Sequence, residues 1–141
     1  MKTYLFDTMV LSTIVIKKRP SEIWSYKWEE IKEGRAYLLL FESLIAELFY
    51  QLIKRKQEKI VCEDILRIKG LPLTRIIQLD DNFAFKAGKF RYQFQEISTV
   101  DAFSIAIAER NKGMIFTTDH YLRNAAKEMN VKVSYLPKEE L

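Results

Sequence analysis

The segment Ala36-Tyr37-Leu38-Leu39-Leu40-Phe41 carries no charge and no alternation of polar with apolar positions. A strand of that kind has no face to give to water, so it belongs in a parallel sheet covered by helices on both sides. The rest of the chain meets that demand. Tyr4-Leu5-Phe6, Arg75 to Leu79, Met114 to Thr117 and Val131 to Tyr135 read as further short strands. Between them stand segments of helical period: Thr8 to about Ile16, Ser21 to about Glu33, Ser43 to about Lys56, Cys62 to Lys69, Asp81 to about Gln95, Ser98 to Asn111 and Tyr121 to Met129. Ser21 reads as an N-cap, Gly34 as a helix stop, and Lys112-Gly113 as the close of the helix before it. This alternation is the pattern of an α/β fold. With 141 residues and no repeat, linker or break in composition, residues 1–141 read as one domain.

Several chemistries are excluded by counting. The single cysteine, Cys62, rules out an intrachain disulfide and a zinc site built on paired cysteines, and fits a reducing cytoplasm. The single histidine, His120, is too few for a two-histidine ribonuclease or a histidine-rich metal site. No apolar run approaches the roughly 20 residues that span a bilayer. The N-terminal Met1-Lys2-Thr3-Tyr4-Leu5-Phe6-Asp7 meets a charge too early to read as a signal peptide.

Most of the 19 acidic residues keep polar company, as in Glu29-Glu30, where a solvated surface is the natural reading. Four do not. Asp7 follows the first strand and Asp119 follows Met114 to Thr117, so both stand at carboxyl ends of strands, where open α/β sheets take their ligands. Glu47 interrupts the apolar helical stretch Leu44 to Tyr50, where a solvated acid is not expected, and Asp101 lies in Val100 to Ala106. Each has an ordinary explanation: Asp7 and Asp119 as helix caps, Asp101 as the third residue of a capping box with Ser98, and Glu47 as half of a buried ion pair. Together they ask for more. Carboxylates gathered 4–5 Å apart would repel by about 3–4 kcal/mol per pair at an effective dielectric of 20, and three pairs by roughly 10 kcal/mol, as much as a small domain's stability. A proton or a bound cation must offset that. An all-oxygen donor set favours a hard divalent ion such as Mg²⁺ or Mn²⁺, and such a cluster is what metal-assisted phosphodiester hydrolysis requires.

Asp7-Thr8 after the first strand, Ser43-x-x-x-Glu47-Leu48, Ile97 to Ala106 around Asp101, and Gly113 to Asp119 with its Thr117-x-Asp119 ending occur in an order that resembles the PIN-domain nucleases. The set is most similar to the VapC-type toxins of toxin-antitoxin pairs, over essentially the whole chain. The resemblance implies a three-layer α/β/α sandwich around a mainly parallel sheet. It implies Asp7, Glu47, Asp101 and Asp119 as catalytic metal ligands, Thr117 as their supporting hydroxyl, and a Mg²⁺- or Mn²⁺-dependent endoribonuclease. It further implies a cognate antitoxin whose tail occupies the groove, and a homodimer. Two positions depart from the pattern: Met9 stands where Ser or Asn is usual, and Tyr121 where a further acid is common.

An acidic pocket holds RNA only if its surroundings attract phosphates. The net charge is +4, and setting the four acids aside leaves the remainder twice as positive. Lys54-Arg55-Lys56-Gln57-Glu58-Lys59, Lys17-Lys18-Arg19, the trio Lys86, Lys89 and Arg91, and Arg123 four residues past Asp119 are the candidates for backbone contacts, with Arg123, Lys54 and Arg55 foremost. His120 stays outside the catalytic set. The stripe Trp24, Trp28 and Ile31 reads as core, or else, with Phe49 and Tyr50, as the lining of a groove for the antitoxin or a second subunit. The rival reading is a non-catalytic RNA- or protein-binding α/β domain, either a degenerate PIN domain or a phosphoacceptor receiver. A receiver wants an acidic pair at the end of its first strand, where Asp7 stands alone, and has no role for Glu47.

Overall fold

The structure, a computed structural model, describes residues 1–17 and 21–138. Lys18, Arg19 and Pro20 of the first basic run, and Glu139 to Leu141, lie outside the described residues. The chain runs β1 (Lys2–Phe6), α1 (Thr8–Lys17), α2 (Glu22–Lys32), β2 (Ala36–Leu40), α3 (Glu42–Ile53), α4 (Glu58–Lys69), β3 (Thr74–Ile76), α5 (Asp81–Gln93), α6 (Thr99–Asn111), β4 (Met114–Thr117), α7 (His120–Glu128) and β5 (Val133–Tyr135). The five strands form one parallel sheet in the order β3-β2-β1-β4-β5, flanked by the helices as a three-layer α/β/α sandwich.

The central strands are apolar because both faces are covered. Tyr4, Leu5 and Phe6 of β1, Leu38, Leu39 and Leu40 of β2, and Ile115 and Phe116 of β4 are all buried. The register sets Leu5 beside Ile115 and Phe6 beside Phe116, so β1 and β4 end side by side. Asp7 N continues the ladder by donating to Phe116 O at 3.0 Å.

Chain order reverses between these two strands. From β1 the chain steps outward to β2 and β3, then crosses back to β4 and on to β5. Such a switch point opens a crevice beyond the carboxyl ends of the two strands, because right-handed connections leave on opposite faces of the sheet. This order differs from the receiver's 2-1-3-4-5. The receiver alternative is therefore excluded by topology.

Several boundaries move from where the sequence alone put them. α4 begins at Glu58 rather than Cys62, α3 ends at Ile53 rather than Lys56, α5 stops at Gln93, and the edge strands β3 and β5 are three residues each. Ser21 caps α2 as expected, accepting from Trp24 N, and Gly34 takes φ +72° just beyond that helix. Lys112-Gly113 closes α6 as expected, with Lys112 the left-handed C-cap at φ +52°.

Candidate active site

Each of the four acids reaches the crevice on a different element. Asp7 leaves β1 and caps α1: its Oδ1 accepts from Val10 N at 2.9 Å. Asp101 is the third residue of α6, closing a reciprocal box in which Ser98 Oγ accepts from Asp101 N and Asp101 Oδ2 accepts from Ser98 N. Asp119 caps α7 through Oδ1, which accepts from Tyr121 N at 2.8 Å. Glu47 projects from the middle of α3. All four line one cavity of about 660 Å³ together with Met9, Gln51 and Arg91.

Thr117, the last residue of β4 and wholly buried, ties two of them together. Its Oγ1 donates to Asp7 Oδ2 and accepts from Asp119 N at 3.0 Å. One hydroxyl thus fixes both the first acid's carboxylate and the fourth acid's backbone.

The electrostatics agree with this convergence. Burial pushes the Asp7 carboxyl up to about 7 against the pull of the Thr117 hydroxyl and the Val10 amide, and the charges of Asp101 and Asp119 add to the rise. Asp101 is also raised, by burial first, with Asp119 and Glu47 contributing and the contacts from Ser98 opposing. Asp101, Asp119 and Glu47 are thus each felt by at least one other acid of the set.

Three expectations are corrected. Glu30, read as solvated surface, is buried, and its carboxylate accepts from Tyr4 Oη and pairs with Lys27. Glu47 is exposed, not embedded: α3 buries Leu44, Leu48 and Leu52, and Glu47 lies off that row on the side that faces the cavity. Nor do the carboxylates converge on a point. Among the described residues, no three His, Cys, Asp or Glu side chains form a group set to hold one ion. The donor chemistry still fits a hard cation, since the lining acids offer oxygen alone. Asp101 Oδ1, Asp119 Oδ2 and both oxygens of Glu47 accept no hydrogen bond from the described residues.

The basic candidates divide. Arg91 lines the cavity, held by a bond from its guanidinium to Thr99 Oγ1 at 3.0 Å. Lys54 and Arg55 follow Gln51 by about one turn at the exposed end of α3, Lys54 lying over the Tyr50 ring. Arg123 does not line the cavity; it stacks on Tyr135 at 4.3 Å and bonds to Asn124. Lys86 is paired with Glu109 and Lys56 with Asp64. Gln51 was missed, although its position four residues after Glu47 places it on the same helix face. The sequence gives no local sign that Arg91 meets Thr99, because that contact is made by the packing of α5 on α6.

The aromatic stripe also divides. Trp24, at 1% exposure, is core and lines no groove, which corrects the groove alternative for that residue. Trp28 lines a second cavity of about 490 Å³ between α1, α2 and α4, and Phe49 a third of about 500 Å³ between α3 and α4.

A family profile described as PIN domain matches residues 4–128. Among solved structures, the chain is similar to VapBC2 from Rickettsia felis bound to a promoter DNA fragment, with TM-score 0.71 and 15% identity over 94% of this chain and 98% of that one. It is also similar to FitAcB from Neisseria gonorrhoeae, with TM-score 0.65 and 24% identity over 92% and 95% of the two chains. A third is Mycobacterium tuberculosis VapC20, a sarcin-ricin loop cleaving toxin, with TM-score 0.67 and 13% identity over 86% and 94%. No curated protein matches significantly.

Proposed function

The chain belongs to the PIN-domain family, and from that premise we propose that it is a metal-dependent endoribonuclease, the toxin of a toxin-antitoxin pair. The observation that carries this reading is the meeting of Asp7, Glu47, Asp101 and Asp119 around one cavity at the sheet's switch point. In this reading the four acids hold Mg²⁺ or Mn²⁺. When bound, the ion lowers the pKa of a coordinated water and takes up charge developing on the phosphate.

The chain's own residues do the rest. Thr117 is a positioning residue that fixes the Asp7 carboxylate and the start of α7 at once. The helix N-termini at Asp7, Asp101 and Asp119 hold one oxygen of each carboxylate, so the groups enter the cavity already oriented. Arg91 at the rim, with Lys54 and Arg55 beyond Gln51, receives the phosphates on either side of the scissile bond, and Arg123 serves a more distant part of the strand. In this reading a cognate antitoxin or a second copy of the chain covers the other two cavities, one lined by Trp28, Ile14 and Leu71 and the other by Ile45, Phe49 and Leu66.

The test is incubation of the purified protein with total RNA and Mn²⁺ or Mg²⁺, followed by EDTA. Cleavage should require the ion and disappear in Asp101→Asn; cleavage that persists in EDTA would overturn the reading.

A further inference from the structure

Helix α5 buries Phe83, Ala87 and Phe90. The opposite face carries Phe85, Gly88, Lys89 and Tyr92, one helical turn apart. Phe85 and Tyr92 are 68% and 84% exposed. Two bare aromatic rings about 10 Å apart along a helix, with a lysine between them, need an explanation.

Gly88 sharpens the question. A mid-helix glycine lowers stability relative to alanine, and leaves the backbone bare enough for another group to come close. Nothing in the protein requires it: Gly88 has no positive φ, and an added Cβ would meet no atom within 4 Å. The bare backbone at Gly88 is therefore open to a ligand from outside. Gly88 also lies on the helix between the flank bearing Arg91, which lines the acidic cavity, and the outward face bearing Tyr92.

We propose that the outer face of α5 is a stacking platform for single-stranded RNA, on which the strand leaving the cavity passes Arg91, crosses the bare backbone at Gly88, and lays bases on Tyr92 and Phe85. This rests on the nuclease reading and extends it from the cut phosphate to the bases beside it. Aromatic faces take any base, and interleaved cations follow the backbone, which is the chemistry of single-strand binding surfaces. Lys89 and Arg91 enter no ion pair among the described residues, so both charges are free for phosphates. A protein partner fits less well. α5 has no Leu, Ile or Val anywhere in its length, whereas the groove between α3 and α4 offers Ile45, Ile65 and Leu66.

The test uses the full chain in EDTA and a fluorescein-labelled 12-nucleotide oligouridine, read by anisotropy, with the hairpin duplex of equal length as control. Tyr92→Ala and Phe85→Ala should each weaken single-strand binding by about ten-fold, with Tyr92→Phe close to wild type and duplex binding unmoved. Gly88→Ala should weaken binding while raising the melting temperature, a pairing of signs that damage to the fold does not produce. If the wild type cuts RNA with Mn²⁺ but all these variants bind and cut like it, the platform is refuted and the nuclease reading stands. If the wild type neither binds nor cuts RNA, the nuclease reading falls and takes the platform with it. If Tyr92→Ala alters self-association and leaves RNA affinity intact, the face is a protein interface and the proposal fails.

Discussion

Replacing Asp7 by Asn should make the metal-free protein markedly more stable at pH 8 and only slightly so near pH 4. Asp7 is 7% exposed, and its carboxyl is pushed from an ordinary 3.8 to about 7, by burial above all. Between those two values the folded protein keeps a proton that the unfolded chain has released. Stability therefore falls as pH rises, by about 1.4 kcal/mol per unit, and the loss is complete above about pH 7. Over the whole interval it amounts to roughly 4 kcal/mol, a large part of the 5–15 kcal/mol typical of a domain. Asparagine keeps the shape, still accepts from Val10 N, and carries no charge to desolvate.

The assay is urea unfolding of wild type and Asp7→Asn in EDTA at pH 5, 6, 7 and 8. Taking the difference at each pH removes the titrations common to both proteins. The advantage of Asn should grow by about 3 kcal/mol between pH 5 and pH 8. Manganese should then narrow the gap at pH 8 by stabilising the wild type alone, because a cation bound at ionised Asp7 replaces the missing solvation. A difference that stays flat with pH would refute the claim that Asp7 is a desolvated carboxylate. A pH-dependent gap that manganese leaves unchanged would spare that claim and sink Asp7 as a ligand.

Thr117→Val removes the hydroxyl that serves both Asp7 and Asp119, and should cost about 2 kcal/mol at pH 8; a carboxyl-carbon NMR titration should find the Asp7 midpoint higher than in wild type, since the contact favouring the ionised form is gone. Tyr4→Phe deletes the bond from Tyr4 Oη to buried Glu30, leaving that carboxylate to Lys27, and should cost about 1–2 kcal/mol in urea unfolding. Ser43 Oγ is buried with no hydrogen-bond partner among the described residues. Ser43→Ala should accordingly be neutral or stabilising by about 1 kcal/mol, and a clear loss would mean the hydroxyl has a partner on binding water.

What the sequence made legible follows from how many neighbours decide each feature. Strands β1, β2 and β4 stand out because a strand covered on both faces must be apolar at every position, a local property. The edge strands β3 and β5 each have one partner, so their ends depend on where that partner stops: Ile77 N still donates to Leu40 O, yet β3 is over at Ile76. The start of α4 was hidden because exposed Glu58, Lys59 and Ile60 give no apolar period. Glu47 was misread by its neighbours' character instead of their phase. Leu44, Leu48 and Leu52 mark the buried row, and the same spacing puts Glu47 and Gln51 off it, towards the cavity. Arg91 depends on the packing of one helix against another, which no local pattern encodes.

The ordinary and the functional readings of the acids turn out not to compete. Asp7 and Asp119 cap their helices and Asp101 closes the box capped by Ser98, each giving one oxygen to a backbone amide at a helix start. A cap is also the cheapest way to hold a carboxylate still near others of its kind. The amides and the helix dipole favour the charge locally, by about 0.3–1 kcal/mol for each terminus, and the second oxygen of Asp7 is held in turn by the Thr117 hydroxyl. Three helices starting at one sheet edge therefore gather three oriented carboxylates with no residue spent on orientation alone. Only Glu47 arrives without a cap, from mid-helix, and only Glu47 is exposed. If the site closes on a cation, Glu47 is then the acid whose side chain must move furthest, and Glu47→Asp, one methylene shorter, should weaken manganese binding more than Asp101→Glu. Isothermal titration of the two variants decides it, and equal losses would mean that capping does not set the geometry of the site.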